Sequence, residues 1–321
     1  MKGMLIELAN AKKPQDLNPI VFSDSAIFRG VRLHWLQSGS SDRNLVFVCH
    51  GFPDTAQSWS KVMEALSSDV SVVTPFLHGS SRESEPNVND ARFKSDAILL
   101  DHLELIQRLG SHQNIIVVGH DIGSVHAINL ARALGKRLSG LVIVNGTGLR
   151  QFRKRLSSLR QVAKSWYMSL FQVPVMPEFL LRTFPNTVKA FVSQKNQGHE
   201  VSFTAEELQK STPMLKYYRQ ILLELIDDKV NGLPTQKRIN KHTLVICGQK
   251  DPFLEIPTRE EWLEVALNPV IRVLPSGHWP HLDSTGKFNE LLNEFVNQCV
   301  YSEAKDTYAR TDISKESRQS N

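Results

Sequence analysis

Short unbroken apolar runs recur along the first half of the chain, separated by stretches in which apolar residues return every three or four positions. The runs Leu45–Cys49, Val70–Thr74, Ile115–Val118 and Leu141–Val144 are rich in β-branched residues and too short for helices. They read as strands buried on both faces. Between them, the stretch Asp90–Leu109 places Phe93, Ala97, Leu100, Leu103, Leu105 and Ile106 at the spacing of a helix with one buried stripe. A further helix begins at Asp121 and runs to Leu134, and its Gly123 and Ala127 are small enough for it to lie close on a sheet. Strands alternating with helices predict an α/β fold with a mostly parallel sheet covered on both sides.

The alternation stops after Asn145. From Gly146 to about Asn240 the pattern is helical and is punctuated by Pro174, Pro177, Pro185, Pro213 and Pro234. Strand-like runs return at Leu244–Cys247 and Val270–Leu274, followed by a last helical pattern over Lys287–Val300. The expected organisation is one sheet domain, residues 1–146 and 241–300, interrupted by a helical insertion, residues 147–240. A polar tail, residues 301–321, follows, and its composition predicts a frayed or surface-helical segment.

Composition narrows the class further. The chain has 321 residues, 41% of them apolar, as in a soluble globular protein. It holds no run of eighteen apolar residues, so no membrane span is expected. The early run Met4-Leu5-Ile6 is broken by Glu7 and is too short for a secretory signal core. Cys49, Cys247 and Cys299 lie in or beside apolar runs; an odd count of such thiols predicts no disulfide scaffold and a cytoplasmic location. No cysteine–histidine spacing predicts a metal site. The formal charge of +5 is mild, and no aromatic–basic interleaving predicts nucleic-acid binding. Arg150, Arg153, Lys154, Arg155, Arg160 and Lys164 form a run without an acid, which reads as a solvated helix face or a surface for anions or membrane.

The chemistry gathers at four strand ends. Gly119-His120-Asp121-Ile122-Gly123 follows the run ending at Val118 and opens a helix. This is the strand, sharp turn and helix of a nucleophile elbow, with aspartate in the place of serine. A carboxylate is ionised near neutral pH and needs no base to attack, so a nearby histidine is free to activate water. Such a site suits strained epoxides or alkyl halides. His50-Gly51-Phe52-Pro53 follows the first strand, and the backbone N–H groups of Phe52 and Ile122 together form a rigid place for an oxyanion. Asp251 follows the strand ending at Cys247, and His278 follows the one ending at Leu274. The order nucleophile, acid, histidine is that of a hydrolase triad, with Asp251 orienting His278 and His278 drawing a proton from water. His281 is a nearby rival.

As a set, these motifs resemble the α/β-hydrolase superfamily, specifically its epoxide hydrolase branch, over roughly residues 20–300. The resemblance implies a helical cap over the site and a two-step reaction. Asp121 attacks an epoxide carbon, a cap tyrosine assists the leaving oxygen, and water activated by His278 and Asp251 hydrolyses the ester to a diol. No cofactor is implied, and the substrate is a small epoxide. The cap residues Trp166, Met168, Leu170, Phe171, Val173 and Val175 point to an apolar or aromatic one. Tyr218, directly before Arg219, matches the ring-opening tyrosine, with Tyr217 as its neighbour and alternative. The family's second tyrosine falls just before a Phe-Gln-x-Pro segment; here Leu170 occupies that place, and Tyr167 lies one helical turn earlier. A haloalkane dehalogenase is the nearest alternative, but that family commonly carries tryptophan after the nucleophile, where this chain has Ile122. An ester or lactone hydrolase and a non-catalytic ligand-binding homologue are further alternatives.

Overall fold

The computed structural model describes residues 4–5, 21–39, 44–66, 70–80, 89–199, 201–231 and 236–316. Nine strands form a single sheet: β1 (Met4–Leu5), β2 (Phe22–Phe28), β3 (Val31–Ser38), β4 (Asn44–Cys49), β5 (Ser71–Pro75), β6 (Asn114–Asp121), β7 (Leu138–Gly146), β8 (His242–Gly248) and β9 (Pro269–Leu274). Their spatial order is β1-β2-β3-β5-β4-β6-β7-β8-β9. The block from β5 to β9 is parallel, and β1, β2 and β3 add an antiparallel edge.

The six strands expected from apolar runs are all present. β2 and β3 have no such signature, because they sit at the sheet margin and alternate buried with exposed positions, as in Val31-Arg32-Leu33-His34-Trp35. A half-buried antiparallel strand lacks the continuous apolar run that marks a central parallel one. In β6, by contrast, Ile115 to Val118 are all buried, each contributing about 1.5–3 kcal/mol of transfer free energy.

The helix expected from Asp90 is two elements. A 3-10 turn, Asp90–Phe93, ends at the extended residue Lys94, and an α-helix runs over Ser95–Leu109. Its buried face is Ile98, Asp101, His102, Leu105 and Ile106, whereas Leu100 is exposed. Asp101 is buried because it accepts from both Arg29 and Arg92 at 2.8 Å, so a satisfied carboxylate displaces leucine from the predicted stripe. The helix predicted from Asp121 starts at Gly123 instead, and Asp121 belongs to the strand end.

Between β7 and β8 the described residues are helical, including Leu149–Arg155, Leu159–Lys164, Trp166–Gln172, Met176–Thr183, Pro185–Lys195 and Leu215–Asn231. The basic run is not a uniformly solvated face. Arg155 is buried, donates to Glu261 and to the Glu255 carbonyl at 2.9 Å each, and Lys154 pairs with Glu264. Lys164 donates to the carbonyls of Asp251 and Leu254 at 2.6 and 2.9 Å. These cations tie the helical layer to the loop after β8. A long helix, Thr285–Glu316, closes the fold and carries the backbone of the polar tail as far as residue 316; residues 317–321 lie outside the described residues.

Candidate active site

The carboxyl ends of β4, β6, β8 and β9 lie on one edge of the sheet, where ligands bind in open α/β folds. Asp121 ends β6 with φ of 52°, in the left-handed region that L-residues occupy rarely. The turn is tight enough that a Cβ on Gly123 would stand 2.2 Å from the Cys49 carbonyl oxygen, and one on Gly51 would stand 2.5 Å from the Asp121 Cβ. The glycines predicted around the elbow are therefore required by contact between two strand ends. A Cβ on Gly119 would likewise stand 2.5 Å from that of Ala127.

The predicted acid and base converge on Asp121. His278 Nε2 is 3.4 Å from Asp121 Oδ2, and His278 Nδ1 is 2.9 Å from Asp251 Oδ2. Asp251 Oδ1 accepts the backbone N–H groups of Phe253 and Leu254 at 2.7 and 3.1 Å, which leaves Oδ2 for the imidazole. Both ring nitrogens of His278 thus face carboxylate oxygens, which only accept. Burial alone would lower the His278 pKa, but Asp251 and Asp121 outweigh it and raise it to about 10. Burial would in turn raise Asp121, yet His278 and the N–H of Ile122 hold it below the usual carboxylate range. The resting pair is imidazolium and carboxylate.

The Asp121 carboxylate also accepts from Phe52 N–H at 3.2 Å. The two backbone donors expected from the sequence, Phe52 and Ile122, therefore both address residue 121. The His50 ring accepts the Leu77 N–H on Nε2 at 3.1 Å and donates from Nδ1 to the Gly51 carbonyl at 3.0 Å, bracing the turn. Pro53 lines the cavity above.

That cavity has a volume of about 620 Å³ and lies between the sheet edge and the helical layer. Asp121 and His278 form its floor; Phe52, Phe171, Phe253 and Trp279 are among its walls. Tyr167 and Tyr218 both line it, with ring centroids 6.0 Å apart. Burial raises the Tyr218 pKa well above 10, and the negative charge of Asp121, to which its hydroxyl donates, adds to the shift. Tyr167 is raised in the same sense by burial and by Asp121 and Asp251, and its hydroxyl neighbours that of Tyr218. Both phenols stay protonated. Leu170 lines the same cavity, and Tyr167, one turn earlier, brings its ring beside that of Tyr218. Tyr217 points elsewhere: it is buried against Phe93, centroids 4.9 Å apart, and is not part of the cavity.

The rival histidine, His281, is buried and stacked on Trp59 with centroids 4.3 Å apart. Burial lowers its pKa to about 3, and it serves packing.

Two groups, Asn145 and Asn196, escape motif reading, and His120 of the elbow motif acts with them. Asn145, at φ 36°, donates from Nδ2 to the carbonyls of Gly277 and His278 at 2.9 Å each and accepts the Gly248 N–H at 2.7 Å. Asn196, beyond the helix Pro185–Lys195, accepts the His278 N–H at 2.8 Å. His120 donates from Nε2 to the His278 carbonyl at 2.9 Å, with Nδ1 3.6 Å from the buried Asp54. Together they fix the backbone of residue 278. Only the position of Asn145 directly after a buried apolar run is a signal for it.

Among the described residues, no group of three or more His, Cys, Asp or Glu side chains is arranged to hold a metal ion. No described helix is long and apolar enough to cross a membrane.

Residues 44–285 match the family model of the alpha/beta hydrolase fold, and the chain belongs to that family. It is 27% identical over 288 residues to epoxide hydrolase 3 of Xenopus tropicalis, covering 84% of this chain and 76% of that protein. The solved structure of Bacillus megaterium epoxide hydrolase in complex with an inhibitor superposes with a TM-score of 0.70 at 23% identity, over 85% of this chain and 100% of that one. Cfl2 of Burkholderia cenocepacia superposes with a TM-score of 0.71 at 16% identity, over 89% and 98%. Likeness at these structural identities speaks to the fold alone.

Proposed function

We propose that this protein hydrolyses epoxides to vicinal diols through a covalent ester on Asp121, with residues 147–240 acting as a cap over the reaction. One observation carries the reading: Asp121 shares a cavity with apolar walls with Tyr167 and Tyr218, and His278 stands at its side. The similarity to curated epoxide hydrolases supports it.

The charges balance at each step. An Asp121 oxygen attacks a ring carbon and the carbon–oxygen bond breaks. Tyr218, supported by Tyr167, gives a proton to the leaving oxygen and recovers one, the net source being the His278 imidazolium. The ester is neutral and His278 is left neutral. Water then attacks the Asp121 carbonyl carbon, giving its proton to His278. The N–H groups of Phe52 and Ile122 hold the resulting oxyanion. Collapse releases the diol and restores carboxylate and imidazolium. Asp251 keeps Nδ1 protonated throughout. The apolar and aromatic walls favour an apolar or aromatic epoxide. Three buried cysteines that form no disulfide favour a cytoplasmic location.

The test is to trap the ester. His278→Gln, in which solvent replaces the imidazolium as the proton source, should react once with styrene oxide and stop, and mass spectrometry should find the whole epoxide mass on the peptide carrying Asp121. In wild-type protein, a single turnover in ¹⁸O-water should place the label in the Asp121 carboxylate. Label entering the diol first, with none in Asp121, would reject the ester mechanism even if epoxides were consumed.

A further inference from the structure

The helical layer carries a surface that the reaction does not use. Between Leu156 and His199 the chain has, besides Lys164, which holds the Asp251 loop, four cations, Arg160, Arg182, Lys189 and Lys195, and one acid, Glu178, which is paired with Arg219. The same segment exposes large apolar side chains: Leu159 is 86% exposed, Val175 73% and Phe179 55%. Val175 also stands at φ of 68°, a genuine outlier for a β-branched residue, within the exposed run Val173–Met176. A strained backbone that holds an apolar side chain out into water costs stability and calls for a partner.

The same segment also supplies the way into the cavity. Trp166, Phe191 and Lys195 line the cavity and are also exposed, so they stand at its mouth. Trp166 and Phe191 meet edge to face, centroids 6.1 Å apart, and Lys195 lies over the Phe191 ring at 5.6 Å. A second cavity of about 480 Å³, lined by Leu156, Val162 and Met168, adjoins the first across Ala163 and Trp166. Apolar residues interspersed with cations around an apolar opening match the chemistry of an anionic lipid surface: headgroups for the cations, acyl chains for Val175, Phe179 and Leu159.

We propose that this face docks on anionic membrane surfaces, so that apolar molecules pass from the bilayer into the cavity mouth. The inference is independent of what chemistry Asp121 performs. A protein partner would bury the same apolar side chains, but it would not explain why the segment is almost free of acids.

The full-length protein is mixed with vesicles of phosphatidylcholine alone or with phosphatidylglycerol added, and bound protein is separated by flotation. Binding is expected to the anionic vesicles only, and to weaken at about 0.5 M salt as screening shortens the reach of the cations. Arg160→Glu/Arg182→Glu and Val175→Gly/Phe179→Ser should each lower vesicle affinity by about tenfold or more. Neither pair touches the cavity, so turnover of a water-soluble epoxide should be unchanged, which also reports intact folding. Lys61→Glu/Arg108→Glu, on the exposed surface of the sheet domain, should leave binding intact. No flotation of the wild type, or equal loss in the control pair, would overturn the proposal. So would a stable dimer in sedimentation velocity that Val175→Gly/Phe179→Ser dissolves, since the face would then be a protein interface.

Discussion

Converting Asp121 to asparagine should move the titration of His278 by several pH units. The ester intermediate and an asparagine side chain share one property: neither carries charge at that position. Asp121→Asn is therefore a stable stand-in for the electrostatics of the second step. The two charges are 3.4 Å apart. At an effective dielectric of about 20 their attraction is about 5 kcal/mol, equivalent to roughly three and a half pH units. Relaxation and entering water reduce that, so a fall of about two to three pH units is expected. His278 stands at about 10 with both carboxylates present. In the variant it should titrate at about 7, still supported by Asp251 against burial. The assay is imidazole ¹H–¹⁵N NMR on histidine-labelled protein from pH 5 to 11, with the His278 resonances assigned by their loss in His278→Gln. Intact mass confirms that the asparagine persists. Titration of His278 in Asp121→Asn within about one pH unit of wild type would refute the coupling, and with it the idea that ester formation converts His278 from acid to base.

Because the folded His278 pKa lies above the unfolded value, its ionisation contributes stability that is complete below about pH 6.5 and is lost as pH rises through about 10. The urea midpoint should decline across that window, and decline less in Asp121→Asn. Tyr218→Phe should slow alkylation by an epoxide by about 10²-fold, and the double variant with Tyr167→Phe by about 10³-fold or more, in stopped-flow single turnovers. Unchanged alkylation in Tyr218→Phe would remove it from the role. Gly123→Ala should destabilise by about 3 kcal/mol or more, because its Cβ would meet the Cys49 carbonyl oxygen at 2.2 Å; a thermal scan with an unshifted midpoint would count against a rigid elbow. Lys164→Met should lower kcat more than KM by loosening the Asp251 loop, while alkylation continues at its wild-type rate.

Central elements are legible in the sequence because their physics is local. A strand buried on both faces must be apolar throughout, so β4, β6, β7 and β8 announce themselves, and each reactive side chain follows one of those ends or that of β9. The tight elbow needs residues without a Cβ, and Gly51, Gly119 and Gly123 declare it. The margins are not legible. β2 and β3 alternate, and their partners lie far along the chain. Asp101 faces the core because Arg29, Arg92 and His78 come to meet it from other elements. The same limit hides Asn145 and Asn196: an asparagine is polar in any setting, and its value here comes from carbonyls and N–H groups gathered from β8 and the His278 loop. Leu170 illustrates the converse. Position by position a donor is missing there, whereas the proposed reaction needs only a hydroxyl near Tyr218, and Tyr167 stands one turn away to offer it.

The resting geometry explains why so many groups surround one carboxylate. An attacking carboxylate must be charged, yet a buried charge is costly unless it is paired and hydrogen-bonded. Asp121 meets that cost with His278 and the N–H groups of Phe52 and Ile122. Those stabilising groups are not used up in holding the resting state. In the proposed reaction, once residue 121 is alkylated its negative charge is gone, and the two N–H groups face the carbonyl on which it would reappear. His278 has given up its proton and faces water. A serine in the same elbow would start neutral and would need the histidine as a base for the first step. With aspartate, the proposed reaction lets one imidazole serve as proton source in the first half and base in the second, and the φ of 52° holds the side chain where both halves would use it.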